Sequence, residues 1–262
     1  MKAKNVVAGL GEIGKPIQKL VSKSEFTIGF DTNKKLMSIE QFQKNINIPT
    51  KILHICIPFR NNFHHNVVSL CNKFSPECLV IHSTIQPHTT KKLQNKLTIP
   101  VIFSPIRGVH KRMSYDLKRY TKFFAIEPDA PKKTWAITVY SNLMKKCGVK
   151  VKIMSDPITL ELAKIICDTS YYGWLINYAQ LSKMIATENH VDYDEMWTFS
   201  DEIHKHLGNR PKMYPGIIGG HCVIPNLDLI QNQTLDFIKK LNKKYASKVK
   251  RYKIISKKYK TK

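Results

Sequence analysis

Acidic residues are scarce in this chain: 19 Asp and Glu stand against 43 Lys and Arg in 262 residues, a formal net charge of +24. Long apolar runs are missing too. No stretch approaches the roughly 18 uninterrupted apolar residues that a membrane span needs. The opening Met1-Lys2-Ala3-Lys4-Asn5 runs into a strand-like segment without the apolar core and small-residue cleavage site of a secretory signal, so a cytoplasmic location is expected. Cysteine is present six times but never as CxxC (Cys56, Cys71, Cys78, Cys147, Cys167 and Cys222), a spacing that argues against a zinc ribbon, and the expected lack of an export signal argues against a disulfide framework. No metal site is expected.

The shortage of acids has two readings. A basic field draws polyanions, whereas lysines dispersed over a surface simply keep it solvated. The dispersed lysines of the main body favour the second. The stretch from Lys239 onward, KKLNKKYASKVKRYKIISKKYKTK, is different, and reads as a helix end fraying into a basic arm that could dock on nucleic acid or serve as a solubilising tail.

What is present is ordinary for a folded protein, with 42% hydrophobic and 24% charged residues. The first half alternates short apolar runs with amphipathic stretches, as βαβ units do. Strands are predicted at Val6–Gly9, Phe26–Phe30, Ile52–Ile57, Leu79–His82, Val101–Phe103, Phe123–Ile126 and Val149–Ile153. Helices are predicted at Ile13–Val21, Ile39–Lys44, His65–Lys73, Thr89–Lys96 and Ala130–Lys146. Near Ser155 the pattern changes. Asp156-Pro157 is a helix opening, with an N-cap acid followed by proline at the first helical position, and a long, largely buried helix is predicted to about Glu188. A second helix covers Tyr193–Leu207, a Gly/Pro-rich loop spans Gly208 to Gly220, and a last helix begins near Asn226. The fold class is therefore α/β: a Rossmann doubly wound parallel sheet over 1–154, an all-helical domain built on one long helix over 155–238, and a basic tail over 239–262.

Residues 5–14 read NVVAGLGEIG, so Gly9, Gly11 and Gly14 form G-x-G-x-x-G directly after a strand and at the start of a helix. The first glycine permits the tight turn, the second lets a pyrophosphate approach backbone, and the third lets helix and strand pack closely. The second strand ends at Asp31, about 20 residues on, where an acid takes ribose hydroxyls. That acid favours NAD over NADP, although Lys34 and Lys35 stand nearby. The function indicated is a nicotinamide-dependent oxidation or reduction, with glycines serving a bare turn as the bland alternative.

Further motifs are spread along the chain: Val80-Ile81-His82-Ser83-Thr84 followed by Pro87 and Thr89-Thr90, Ser104-Pro105, Glu161-Leu162-Ala163-Lys164, and Tyr214-Pro215-Gly216 followed by Gly219-Gly220-His221-Cys222. Together with GLGEIGKPI they resemble the UDP-glucose/GDP-mannose dehydrogenase family, enzymes that oxidise a sugar-nucleotide alcohol to an acid using two NAD. The resemblance implies a catalytic thiolate at Cys222, an alkoxide-steadying Lys164, and Thr84 placing a water or the substrate hydroxyl. It places the cofactor on Gly9, Gly11, Glu12, Ile13, Gly14, Asp31, Pro58, Ser83 and Thr84, and substrate near Arg107, His110, Lys164, Gly219 and Gly220. It also implies a homodimer paired through the long helix.

The departures are specific. His88 replaces the glycine of S-T-x-x-P-G-T. Asp168 stands where the family has Asn, and Asn226 where it usually has Asp, an exchange of amide and carboxylate that preserves the charge of the site. Ile106 replaces the S-P-E glutamate used in thioester hydrolysis, leaving Arg107 to bind an anion and His110 to titrate near neutrality. The third domain of the family, which holds the substrate's nucleotide, has no counterpart after Asn226. Three functions stay open: an NAD-dependent dehydrogenase of a sugar or sugar-nucleotide alcohol working through Cys222, a two-electron hydroxyacid-type dehydrogenase with Lys164 as proton donor, and a nucleotide-binding module with a nucleic-acid-docking tail.

Overall fold

A computed structural model describes residues 3–207, 215–219, 223–229, 231 and 233–259, the last nine of these by backbone alone. The chain divides into two compact units, 1–164 and 165–262.

In the first unit seven strands form one sheet: β1 (Lys4–Ala8), β2 (Thr27–Phe30), β3 (Thr50–Ile55), β4 (Cys78–Ile81), β5 (Val101–Phe103), β6 (Lys122–Ile126) and β7 (Val151–Ile153), in the order β2-β1-β3-β4-β5-β6-β7. The first five run parallel, as expected. β6 runs antiparallel to β5, and β7 parallel to β6, so the sheet is mixed at one edge. An antiparallel neighbour needs no full helical crossover, and the β5–β6 connection holds a 3-10 turn, His110–Arg112, and one short α-helix, α5 (Met113–Arg119), which periodicity did not reveal. The remaining helices are α1 (Gly14–Val21), α2 (Ile39–Asn45), α3 (Phe63–Phe74), α4 (Thr89–Gln94), α6 (Lys133–Lys146) and α7 (Pro157–Ala163).

Both faces of the sheet are covered, which is why its strands read as continuous apolar runs. The two-residue period separates their side chains cleanly. Val7, Ile52, Val80, Ile102 and Phe124 join one core with Ile17, Leu117 and Tyr140 of α1, α5 and α6. Val6, Ala8, Leu53, Ile55, Leu79, Ile81 and Phe103 join another with Val67, Leu93 and Leu160 of α3, α4 and α7. Asp156 caps α7 as its sequence predicts, accepting from Thr159 N at 2.8 Å with Pro157 at the first position.

A π-helical segment, Lys164–Ser170, follows α7 and leads into α8 (Tyr171–Glu188). The second unit contains α8, α9 (Tyr193–Leu207), α10 (Val223–Leu227) and α11 (Gln233–Tyr259). Gly173 lets α8 meet its neighbours closely: a Cβ there would lie 3.0 Å from Val223 and 3.3 Å from Ile238. Two expectations change here. The long helix is not largely buried, because Tyr171, Trp174, Tyr178, Leu181 and Ile185 are exposed. And Lys239 begins no separate arm. α11 runs through it as far as Tyr259, with Ile238, Asn242 and Tyr245 buried on one helical face.

Candidate active site

The glycine loop sits at the carboxyl end of β1, where the connection to β2 leaves in one direction and β3 lies on the other. This is the switch point of an open α/β sheet, where crevices form. Gly9 has φ +90°, and a Cβ on it would lie 2.9 Å from the backbone of Cys56 and Ile57. A Cβ on Gly14 would lie 1.6 Å from the Gly9 carbonyl oxygen. Those two positions hold strand, turn and helix at contact. Gly11 is the opposite case: a Cβ there meets nothing within 4 Å, so its open face is a cradle that a side chain would fill. Glu12 and Ile13 continue the loop, Ile13 packed partly against the core, and no side chain caps α1.

Asp31, at the end of β2, accepts from Leu10 N at 2.6 Å through one oxygen and from Asn33 N at 2.7 Å through the other. It thereby ties the glycine loop to the turn that follows β2. Each carboxylate oxygen still has a lone pair for a further donor. These features fit a dinucleotide: close backbone approach at Gly11, an uncapped helix start, and an acid beside them.

Pro58 follows β3 and is exposed. Ser83, after β4, is buried and donates its hydroxyl to Ile57 O at 2.5 Å, joining the β3 and β4 loops. Thr84 beside it is half-buried. The same loop is secured by Glu161, which sequence reasoning quoted only within a motif. Its buried carboxylate accepts from His88 N at 2.6 Å, Thr90 N at 2.9 Å and Thr90 Oγ1 at 2.7 Å. It closes the start of α4, where His88 adopts φ 68° in the glycine-favouring region. Burial raises its pKa, against these hydrogen bonds. Glu161 lies three residues before Lys164, so the helix that carries the candidate lysine also fixes the loop that carries Ser83 and Thr84.

Arg107, after β5, donates from Nη2 to Thr121 O at 2.7 Å and lies 4.9 Å over the Phe123 ring, bracing its own loop against β6. The side chain of His110 lies outside the described residues. Ile106 is 6% exposed and belongs to the core on the α1, α5 and α6 face. Lys164 and Asp168 are half-buried and share the π-helical segment, a geometry that recurs at functional sites. In the second unit Gly219 is exposed and Asn226 half-buried on α10. Gly220, His221 and Cys222 lie outside the described residues. Among those described, no group of His, Cys, Asp and Glu could hold a metal ion, and no helix is long and apolar enough to cross a membrane.

No protein-family model matches the sequence, and no curated protein matches it. Solved structures do. A UDP-D-ManNAc dehydrogenase from Pyrococcus horikoshii superposes with a TM-score of 0.77 at 16% identity, over 93% of this chain and 69% of its own. The UDP-N-acetyl-mannosamine dehydrogenase Cap5O from Staphylococcus aureus gives 0.70 at 17% identity, over 94% and 69%. A 3-hydroxyisobutyrate dehydrogenase from Mycobacterium tuberculosis gives 0.66 at 14%, over 94% of both chains. The chain has the fold of these dehydrogenases.

Behind the rim of that fold lies a polar ladder absent from the sequence reading. His54 Nδ1 is 2.9 Å from His82 Nε2, and His82 Nδ1 is 2.9 Å from Ser104 O. A carbonyl only accepts, so His82 carries its proton on Nδ1 and His54 donates to it. Lys122 Nζ donates to Ser104 O at 2.9 Å and to Pro105 O at 3.3 Å, and Tyr140 donates to Ser104 Oγ at 2.9 Å. Burial pushes His54 down to about 3 and Lys122 down to about 7, and pushes the Cys56 thiol up to about 12. His82 is held well below the usual range by burial and by Lys122. The alternation rule could have placed these side chains on one sheet face, but it carries no signal that they meet.

Proposed function

We propose that the protein is a nicotinamide-dependent dehydrogenase that oxidises an alcohol of a sugar or sugar nucleotide. The observation that carries this reading is the glycine loop. Gly9 and Gly14 are in forced contact while Gly11 stands open beside Asp31, at the switch point of a dehydrogenase fold. Gly11, the start of α1 and Asp31 would hold the dinucleotide, NAD rather than NADP because a 2′-phosphate would meet the carboxylate. Bound there, a nicotinamide dinucleotide would supply the hydride-accepting chemistry for oxidation of the alcohol carbon, once to the aldehyde level and twice to the acid level.

The protein's own groups do the rest. Lys164 would steady negative charge on the substrate oxygen, Ser83 and Thr84 would orient the hydroxyl, and Asp168 and Asn226 are the further polar residues assigned to catalysis. The Cys222 thiolate bonds to the aldehyde carbon. The thioester left after the second oxidation is cleaved by water, freeing the thiolate and the acid.

One observation favours a two-electron reading on the same fold. Ile106 is packed into the core where the resemblance calls for the hydrolytic glutamate, so thioester cleavage lacks that carboxylate, and Lys164 would serve as proton donor. Mass spectrometry of products from NAD and a panel of sugar nucleotides, sugar phosphates and hydroxyacids separates the two. An acid made by the wild type and absent with Cys222→Ser supports the covalent route. An aldehyde or ketone made equally by both proteins supports the two-electron route.

A homodimer completes the proposal. Tyr171, Trp174, Tyr178, Leu181 and Ile185 are exposed on α8 at alternating spacings of three and four residues, the pattern by which one helix packs along another.

A further inference from the structure

A chain of buried amides runs through the second unit and ends on an open acceptor. Asn242 Oδ1 accepts from Ile218 N at 2.8 Å, and Asn242 Nδ2 donates to Ile218 O at 2.9 Å. Gln180 Nε2 donates to Asn242 Oδ1 at 3.2 Å and to Gly216 O at 2.6 Å. A carbonyl only accepts, so Gln180 must turn its Oε1 the other way, where Asn177 Nδ2 donates to it at 2.8 Å. Asn177 is 1% exposed, and its remaining atom, Oδ1, has no partner among the described residues. A second orphan stands on α9. Trp197 Nε1, which can only donate, is buried and also has no partner among the described residues. Its ring lies 6.2 Å from those of Tyr178 and Tyr193, in edge contact with both.

Asn177 and Trp197 line one cavity of about 330 Å³, together with Trp174, Tyr178, Leu181 and Leu241. Small-molecule sites have this make-up, with aromatic and aliphatic walls and a few polar groups that fix orientation. Among the described residues no charged side chain lines the cavity, which disfavours a phosphate or a carboxylate because a buried charge needs a counter-charge. The volume takes roughly ten water-sized groups, the size of a bicyclic aromatic. The two orphans are complementary, one a donor and one an acceptor, and a hydroxyl group supplies the partner that each lacks. Trp174, Tyr178 and Leu181 also belong to the exposed face of α8, so a second copy and ordered water are the competing occupants.

We propose that this cavity is a binding site for an uncharged, hydroxylated aromatic molecule, its hydroxyl accepting from Trp197 Nε1 and donating to Asn177 Oδ1. The site is independent of the dehydrogenase reading.

The test uses the full chain in equilibrium dialysis with 2-naphthol, and with naphthalene as the same body without the hydroxyl. The wild type takes up 2-naphthol at concentrations below about 1 mM. Trp197→Phe keeps an aromatic wall and removes the donor, and Asn177→Leu removes the acceptor. In each, with circular dichroism unchanged, the affinity for 2-naphthol relative to naphthalene falls about fivefold or more. Trp197→Phe decides the matter if Asn177→Leu fails to fold. An unchanged ratio in the folded variants overturns the proposal, because the probe then rests on the apolar walls alone. Sedimentation of the same samples assigns a negative result. A dimer that takes up no 2-naphthol gives the cavity to the second copy, and a monomer that takes up none leaves it to water. Either overturns the proposal.

Discussion

Gly11 and Gly14 are three residues apart and have opposite reasons for being glycine. At Gly14 the reason is internal to the fold, since a Cβ would overlap the Gly9 carbonyl at 1.6 Å. At Gly11 the fold asks for nothing, because the space is open. Gly14→Ala should therefore destabilise the protein by roughly 1–3 kcal/mol, as overpacking does. Gly11→Ala should shift stability by less than about 0.5 kcal/mol yet weaken NAD binding about tenfold or more, because the methyl stands where the pyrophosphate must approach. Thermal unfolding and fluorescence titration with NAD check both. Equal NAD affinity in Gly11→Ala and wild type would remove the cofactor assignment. Ile106 teaches a related lesson. Its apolar identity matches a site in the core, and a glutamate placed there would face apolar neighbours.

Among the elements, the ladder across β3, β4, β5 and β6 has consequences for pH. His54 has a folded pKa of about 3 against an ordinary 6.5, and its Nε2 has no partner among the described residues. Between those values the unfolded chain binds a proton that the folded chain refuses, so stability falls as pH drops from about 6.5 towards 3. The fall is on the order of several kcal/mol at full extent. Lys122 acts the same way at higher pH. Its folded pKa of about 7 lies below the ordinary 10.5, so stability rises from about pH 7 towards 10. Urea unfolding across pH should show both slopes. His54→Leu should reduce the acid slope, to which buried His82 also contributes, and Lys122→Met should flatten the alkaline one. A wild-type curve without a slope in either window would mean that these groups are protonated in the fold.

For the whole molecule, the exposed stripe on α8 governs assembly. Five large apolar side chains along one helical face, Tyr178 62% exposed among them, form a larger continuous patch than isolated surface hydrophobes. Trp174, Tyr178 and Leu181 also line an apolar cavity of about 330 Å³ with Trp197 and Leu241. Sedimentation analysis should give a dimer for the wild type, and a monomer of unchanged circular dichroism for Tyr178→Glu. A wild-type monomer at micromolar concentration would remove the pairing.

The sequence by itself determined the parallel strands β1 to β5, the glycine loop with Asp31, and the capped start of α7. Each depends on short-range rules: a two-residue period, a fixed spacing of glycines, an acid before proline. What it could not determine was which distant side chains meet. His54 and His82, Glu161 and the His88–Thr90 backbone, and Asn242 and Ile218 are each brought together from separate elements. The lysine-rich stretch shows the difference most plainly. Composition registers its charge, whereas the burial of its Asn242 is set by the packing of α11 on α8. That packing depends on Gly173, Val223 and Ile238 meeting at contact distance, a tertiary fact with no local pattern to announce it.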